Sequence, residues 1–252
     1  MKRAIVLSGG GSKGSYEIGV WKALRRLHIK YDIVTGTSIG ALNGALMTQK
    51  TYLKALYIWH KLSLEYLFEQ QPKSDTKKDV LRLYGDNFLK NGGMDIQKIE
   101  SIIRKGINMK RFYKSDIDYG LVTFNFYTKK PLVISKKDIS EDKLIDYLMA
   151  SATCYPAFQM KNIDGDKYID GGFYDNLPVN LAIDLGATEA IIVDLRAPGL
   201  KRLPKGNIKT TYIRPKNKIS FFLDFNKEQA KININFGYND TMKVFKRLEG
   251  DY

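Results

Sequence analysis

The run Tyr31-Asp32-Ile33-Val34-Thr35-Gly36-Thr37-Ser38-Ile39-Gly40, continued by Ala41-Leu42-Asn43-Gly44-Ala45-Leu46-Met47, constrains this chain more than any other segment. Its β-branched start predicts a buried strand over 31–35, and the stretch after Gly40 has helical composition. Between them stands G-x-S-x-G, which places a serine on a sharp strand-to-helix turn with its hydroxyl thrust out of the backbone. Gly36 and Gly40 have a reason there: side chains beside the serine would crowd the turn, and glycine tolerates strained angles. A bare match also describes an ordinary Gly/Ser/Thr turn. The motif therefore needs partners elsewhere in the chain.

A serine nucleophile needs a base to take its proton. The chain holds two histidines, His28 and His60, and neither is flanked by a recognisable motif. An aspartate is the better candidate. Asp170 ends a predicted strand, and Gly171 and Gly172 let the chain turn away at once, which would hold the carboxylate at the sheet edge. Asp164, Asp166 and Asp175 fall in turns and are expected to be solvated or capping. A free aspartate with a pKa of about 3.9 is a weak base. The site must either raise it by desolvation or delay proton transfer until the transition state, and both routes remain open.

A third segment joins these two. Lys2 to Ser8 reads as a strand that runs into Gly9-Gly10-Gly11-Ser12-Lys13-Gly14, with a helix predicted over 15–27. Successive glycines bare their N–H groups at a helix start, where the helix dipole also favours negative charge. The spacing equally spells the dinucleotide fingerprint G-x-G-x-x-G, with Asp32 about twenty positions on. Asp32, however, opens the second predicted strand, where a ribose-binding acid should close it, and that strand leads into the serine turn. An oxyanion hole for the serine reaction explains both segments together.

The order G-G-G-S-K-G, G-T-S-I-G, D-G-G resembles the patatin-like phospholipases, serine lipid acyl hydrolases with a Ser-Asp dyad. The likeness extends over Ala150 to Phe158 and Asp164 to Val179, covers about residues 3–196, and is fainter over 225–244. It implies a three-layer α/β/α fold with a mainly parallel central sheet, Ser38 as nucleophile, Asp170 as base and the Gly9 to Gly11 backbone as oxyanion hole. Lys13, Gly14, Gly36, Gly40, Gly171 and Gly172 would support these motifs. Ser8 and Lys13 stand where many members carry aspartate and arginine; neither departure is expected to matter, since backbone donors act there.

At 252 residues the chain suits one large domain. The expected division is a catalytic part over 1–200 and a basic C-terminal extension over 201–252, packed on or following it. The single cysteine, Cys154, excludes an intrachain disulfide and reads as a buried small residue; with two histidines it makes no plausible zinc site. Asp164-Gly165-Asp166 reads as a hairpin turn, not as a metal site. No metal or cofactor is expected. The apolar run after Met1 ends at Leu7, too short for a signal peptide, and no run reaches a membrane span. A soluble cytoplasmic protein, at most peripheral to a membrane, is expected.

Further helices are expected over 52–68, 79–90, 95–111 and 179–185, and from Ser140 onward. Strands are expected over 118–128, 131–135 and 189–195, and a polar loop over 70–79. The aromatic block at 52–68, including Trp59, reads as core or as the wall of an acyl site. Over 225–244 a cap at Asn226 argues for helix, while Ala230, Ile232, Ile234 and Phe236 alternate as in a strand; the two readings stay open.

The formal net charge is +14, and residues 201–252 hold 12 basic and 5 acidic side chains. Such a tail suits an anionic surface: lipid headgroups, or nucleic acid, which the motifs make the poorer partner. A plain solvated face is the alternative. Three functions are compatible with the sequence: a hydrolase of lipid or other esters, an acyltransferase using the same acyl-enzyme, and a non-catalytic binding protein. The intact motifs favour the first.

Overall fold

The computed structural model describes residues 1–68, 76–219 and 221–250. It opens with β1 (Arg3–Leu7), a 3-10 turn (Gly11–Gly14) and α1 (Ser15–Arg26). Along β1, Ala4 and Val6 face one core while Ile5 and Leu7 face another. Burial on both faces marks a strand covered by helices on each side. β2 (Ile33–Thr37) begins two residues later than the predicted strand and runs through Gly36 and Thr37, because both keep their pairing with the neighbouring strand. Ser38 then caps α2 (Ile39–Thr48).

The expected helix over 52–68 is two helices, α3 (Tyr52–Lys61) and α4 (Leu64–Leu67), parted where Leu62 turns extended and the Ser63 side chain accepts the Tyr66 N–H. α5 (Lys77–Asn91) is capped by Thr76. The loop expected over 70–79 lies largely outside the described residues. The helix expected over 95–111 also divides, into α6 (Gln97–Gly106) and α7 (Met109–Lys114). Asn108 causes the break: its side chain caps the Arg111 N–H, and its own N–H donates to Gln49.

β3 (Asp118–Asn125) and β4 (Pro131–Ser135) form a hairpin. α8 (Leu144–Ala152) starts beyond Ser140, since residues 141–143 form a turn in which the Lys143 N–H bonds back to Ser140. β5 (Lys161–Ile163) and β6 (Asp166–Asp170) make a second hairpin. Its two turn residues, Asp164 and Gly165, have φ of 52° and 91°. That pair of positive angles is the geometry of a two-residue hairpin loop. α9 (Val179–Asp184), β7 (Glu189–Val193), β8 (Lys209–Ile213) and α10 (Lys227–Gly250) complete the chain.

The segment left open at 225–244 is thus helical. Asn226 Oδ1 accepts the N–H groups of Glu228 and Gln229, and Ala230, Asn233, Ile234, Gly237 and Thr241 recur at helical spacing on the buried side. The apparent alternation misleads because Ile232 is 43% exposed. α10 lies against α1 so closely that a Cβ on Gly19 would sit 1.9 Å from the Ile234 carbonyl oxygen, and one on Gly237 would sit 2.0 Å from that of Tyr16.

The strands join in the order β5-β6-β3-β2-β1-β7-β8, with β4 also on β3. From β3 to β8 the pairs are parallel. The mostly parallel sheet has α1, α2, α3, α8 and α10 on the side of its larger core and α9 on the other, a three-layer α/β/α arrangement. β8 extends the sheet, so residues 209–213 of the basic tail are part of it. No described helix is long and apolar enough to cross a membrane.

β3 decides where the site forms. Its residues 118–122 pair with β2, residues 120–124 with β4, and residues 123–125 with β6. The overlap puts β4 on one edge and leaves β2 and β6 to share the other. β2 ends at Thr37, opposite Val122; β6, running the other way, ends at Asp170, opposite Thr123. The two strands meet tip to tip, and Ser38 follows one tip while Asp170 forms the other.

Candidate active site

Ser38 has φ 56° and ψ −128°, a backbone conformation that L-residues rarely adopt and that persists only when the surroundings hold it. They do so here. The Ser38 N–H donates to Ser151 Oγ at 2.9 Å, and that hydroxyl donates onward to the Val122 carbonyl at 2.7 Å. Thr37 Oγ1 donates to the Asp175 carbonyl at 2.7 Å. A Cβ on Gly36 would lie 2.3 Å from the Gly40 carbonyl oxygen, and one on Gly40 would lie 2.6 Å from that of Leu7, so only glycine fits on either side of this turn.

Asp170 and Ser38 are both buried, at 7% exposure each. Burial pushes the Asp170 carboxyl up to about 6; its contacts with the Ser38 hydroxyl and the Gly172 N–H pull the other way. That N–H donates to Asp170 Oδ1 at 2.8 Å. Of the two routes to a competent base, desolvation is present in the fold. Asp175, expected to be solvated or capping, is not solvated, at 3% exposure, and caps backbone: its Oδ1 accepts the Leu177 N–H; only Asp170 of the two lines the cavity described below. Asp164 and Asp166 are exposed, as are His28 and His60.

The three loop glycines divide. The Gly9 N–H is engaged by Asn176, through both its backbone carbonyl at 3.2 Å and its Oδ1 at 3.1 Å. The Gly10 and Gly11 N–H groups have no partner among the described residues and border the same cavity as Ser38. Ser12 N–H bonds the Phe222 carbonyl at 2.9 Å, which fixes the end of the loop. A Cβ on Gly14 would strike the Ile39 side chain at 2.4 Å, and one on Gly171 would strike the Val122 carbonyl oxygen at 2.1 Å. Lys13 points away to the Arg196 carbonyl, and burial lowers its pKa. Ser8 accepts the Leu195 N–H at 2.9 Å.

Ser38 and Asp170 open on a cavity of about 620 Å³. Its walls are apolar and come from α2, α3, α6 and the segment before α10: Leu42 and Leu46, Ile58 and Trp59, Ile99, Ile103 and Phe222 among them. Trp59 is 2% exposed, so it is core and cavity wall at once. Cys154 also faces the cavity and is half-buried, not enclosed as expected; burial pushes its thiol up to about 12. The sequence reading missed two participants, Asn176 and Ser151. Both lie within the segments quoted for the family resemblance, but their contacts are with backbone far along the chain and leave no local pattern.

A buried serine beside a buried carboxylate of raised pKa, with free backbone donors and an apolar cavity, has the parts that acyl-transfer chemistry on an apolar ester requires. The patatin-like phospholipase family model matches residues 5–183, and the chain belongs to that family. Patatin-like phospholipase domain-containing protein 6 of Homo sapiens is 30% identical over 202 residues, 76% of this chain and 13% of that protein. The cUMP-AMP-activated phospholipase of Escherichia coli is 25% identical over 206 residues, 72% of this chain and 58% of the other. The chain thus spans about an eighth of its first relatives. VipD from Legionella pneumophila superposes with a TM-score of 0.53 at 17% identity, covering 98% of this chain and 67% of that one, a likeness of fold.

Proposed function

We infer that the protein is a serine-dependent lipid acyl hydrolase, of phospholipase A, lysophospholipase or carboxylesterase type, working through an acyl-enzyme on Ser38. The observation that carries this reading is the tip-to-tip meeting of β2 and β6, which sets Ser38 against a desolvated Asp170 at the mouth of an apolar cavity. Ser38 Oγ attacks the ester carbonyl while Asp170 takes its proton. The developing oxyanion is met by the N–H groups of Gly10 and Gly11, with Gly9 holding the loop through Asn176. Asp170 returns the proton to the leaving alcohol, then activates the water that releases the fatty acid. Burial of an acyl chain in the cavity supplies about 0.8 kcal/mol per methylene.

Relatives named phospholipase and lysophospholipase support the hydrolytic outcome. The basic C-terminal segment supports a peripheral contact with anionic membrane, with a cytoplasmic site of action. Replacement of Ser38 by Ala tests the mechanism: ester hydrolysis should fall by roughly 10⁴-fold or more, and labelling by a fluorophosphonate should disappear. Activity retained within tenfold would exclude Ser38 as nucleophile.

A further inference from the structure

At the other end of β2 lies a second cavity, of about 890 Å³. It is bordered by Asp32, which precedes β2, by the C-terminal ends of α1 and α2, by the first turn of α3, and by Asn108 and Arg111. Its size is within the range of about 300–1,000 Å³ usual for small-molecule sites, and its charge is one-sided. Lys50 pairs with Asp116 at 2.5 Å, and Asp32 Oδ2 accepts the Arg3 N–H at 2.8 Å. Those are its two carboxylates; Asp32, whose partner is a backbone N–H and which forms no ion pair among the described residues, keeps its negative charge, and the cations still outnumber the acids by five to two. Arg25, Lys30, Lys54 and Arg111 also border it and form no ion pair among the described residues.

Four exposed cations that line one concavity and form no ion pair among the described residues raise the local potential and concentrate anions. Two features turn that potential into a site. Arg25 lies over the ring of Tyr52, 4.6 Å from its centroid, and Trp21 meets Tyr52 edge-on at 5.3 Å. A guanidinium over an aromatic ring gains a cation–π contact that narrows its positions, and its planar fork suits two-pronged binding of phosphate oxygens. Thr51, at the start of α3, turns its hydroxyl away from its own helix: it accepts from Gln49 Nε2 at 2.6 Å and donates to the Leu46 carbonyl at 3.3 Å. The first turn of α3 is left without a side-chain cap on the cavity side.

We propose that this cavity binds a soluble phosphate-bearing anion, held by Arg25, Lys30, Lys54 and Arg111. A soluble ligand is favoured over a lipid headgroup by position. Asp32 and Ser38 flank β2 at opposite ends, so a membrane gripped at Asp32 would hold the Ser38 end of the strand away from the lipid. The same two helices reach both places: α2 runs from Ser38 to Gln49, and α3 from Tyr52 in this cavity to Trp59 in the apolar one. The assignment does not depend on the role given to Ser38.

Calorimetric titration of the full chain with inorganic pyrophosphate tests it, beside sedimentation with vesicles containing phosphatidic acid. Pyrophosphate should bind with a Kd below about 1 mM, and the double variant Lys54→Glu, Arg111→Glu should weaken it by at least about tenfold while leaving vesicle binding unchanged. Circular dichroism checks the fold, and the neutral pair Lys30→Gln, Lys54→Gln serves if the reversals do not fold. Ser38→Ala should bind pyrophosphate as the unmodified protein does. Three results would overturn the proposal: binding indifferent to both double variants, binding lost with Ser38→Ala, which would place the anion at the glycine loop, or vesicle binding lost without any pyrophosphate affinity.

Discussion

Asp170 carries a conflict between folding and chemistry. A carboxylate withdrawn from bulk water binds its proton more readily when folded than when unfolded, so protonation favours the folded state. The contribution is intact below about pH 4, the unfolded value, and is lost as pH rises through about 6, the folded one. At neutral pH the ionised side chain therefore costs stability, and Asp170→Asn should raise the melting temperature at pH 8, by about 1–3 kcal/mol in stability, with the gap closing toward pH 4. The same substitution should lose nearly as much hydrolysis as Ser38→Ala, while alanine at His28 or His60, both exposed, should stay near the unmodified rate. With Asp170 as the proposed base, which must be ionised to act, kcat/KM on a soluble ester should climb with an apparent pKa near 6 and level off above it. A flat profile between pH 5 and 8 would contradict this assignment.

Among the elements, α10 depends most on its neighbour. It contacts α1 through backbone at Gly19 and Gly237, and the Tyr16 hydroxyl donates to Asp240 Oδ2 at 3.0 Å. Gly237→Ala must push the helices apart, for a cost of about 1–3 kcal/mol as for other overpacked sites, and thermal unfolding should drop by several degrees. An unchanged melting temperature would mean that the crossing is looser than described. The serine turn, the glycine loop and the hairpin at Asp164 were legible in the sequence because each needs particular residues for a steric reason that acts within a few positions. α10 was not, since the exposed Ile232 supplied a false two-residue period. The breaks at Leu62 and Asn108 were hidden for another reason: a cap that ends a helix also bonds across the fold, as Asn108 does to Gln49. Asn176 was invisible as a partner of Gly9 because tertiary hydrogen bonds carry no spacing rule.

For the whole molecule, the basic excess is less available than a count suggests. Lys201 and Arg214 both pair with Asp194, Lys205 pairs with Asp184, and Arg202 stacks on Tyr174. Reversing those would test folding as much as membrane contact. Lys209, Lys216 and Lys243 are exposed and form no ion pair among the described residues. Their joint replacement by Glu should weaken sedimentation with acidic vesicles and its sensitivity to salt, since surface charges are screened beyond about 8 Å at physiological ionic strength. Hydrolysis of a soluble short-chain ester should be unaffected. Vesicle binding indifferent to these changes and to salt would assign the charge to general solvation.

Under the mechanism proposed for Ser38, the sharing of one edge of β3 by β2 and β6 would make activity all-or-none in the chain's own assembly. The proposed nucleophile follows an early strand and its proposed base ends a much later one, and the two strands pair in the sheet only with their common template, not with each other. A nascent or partly opened chain carries Ser38 with nothing to deprotonate it. A hydrolase of the proposed kind would in this way be disarmed until its last template contact closes, and turnover of a chromogenic ester would report, without any added probe, how much of a population has closed it.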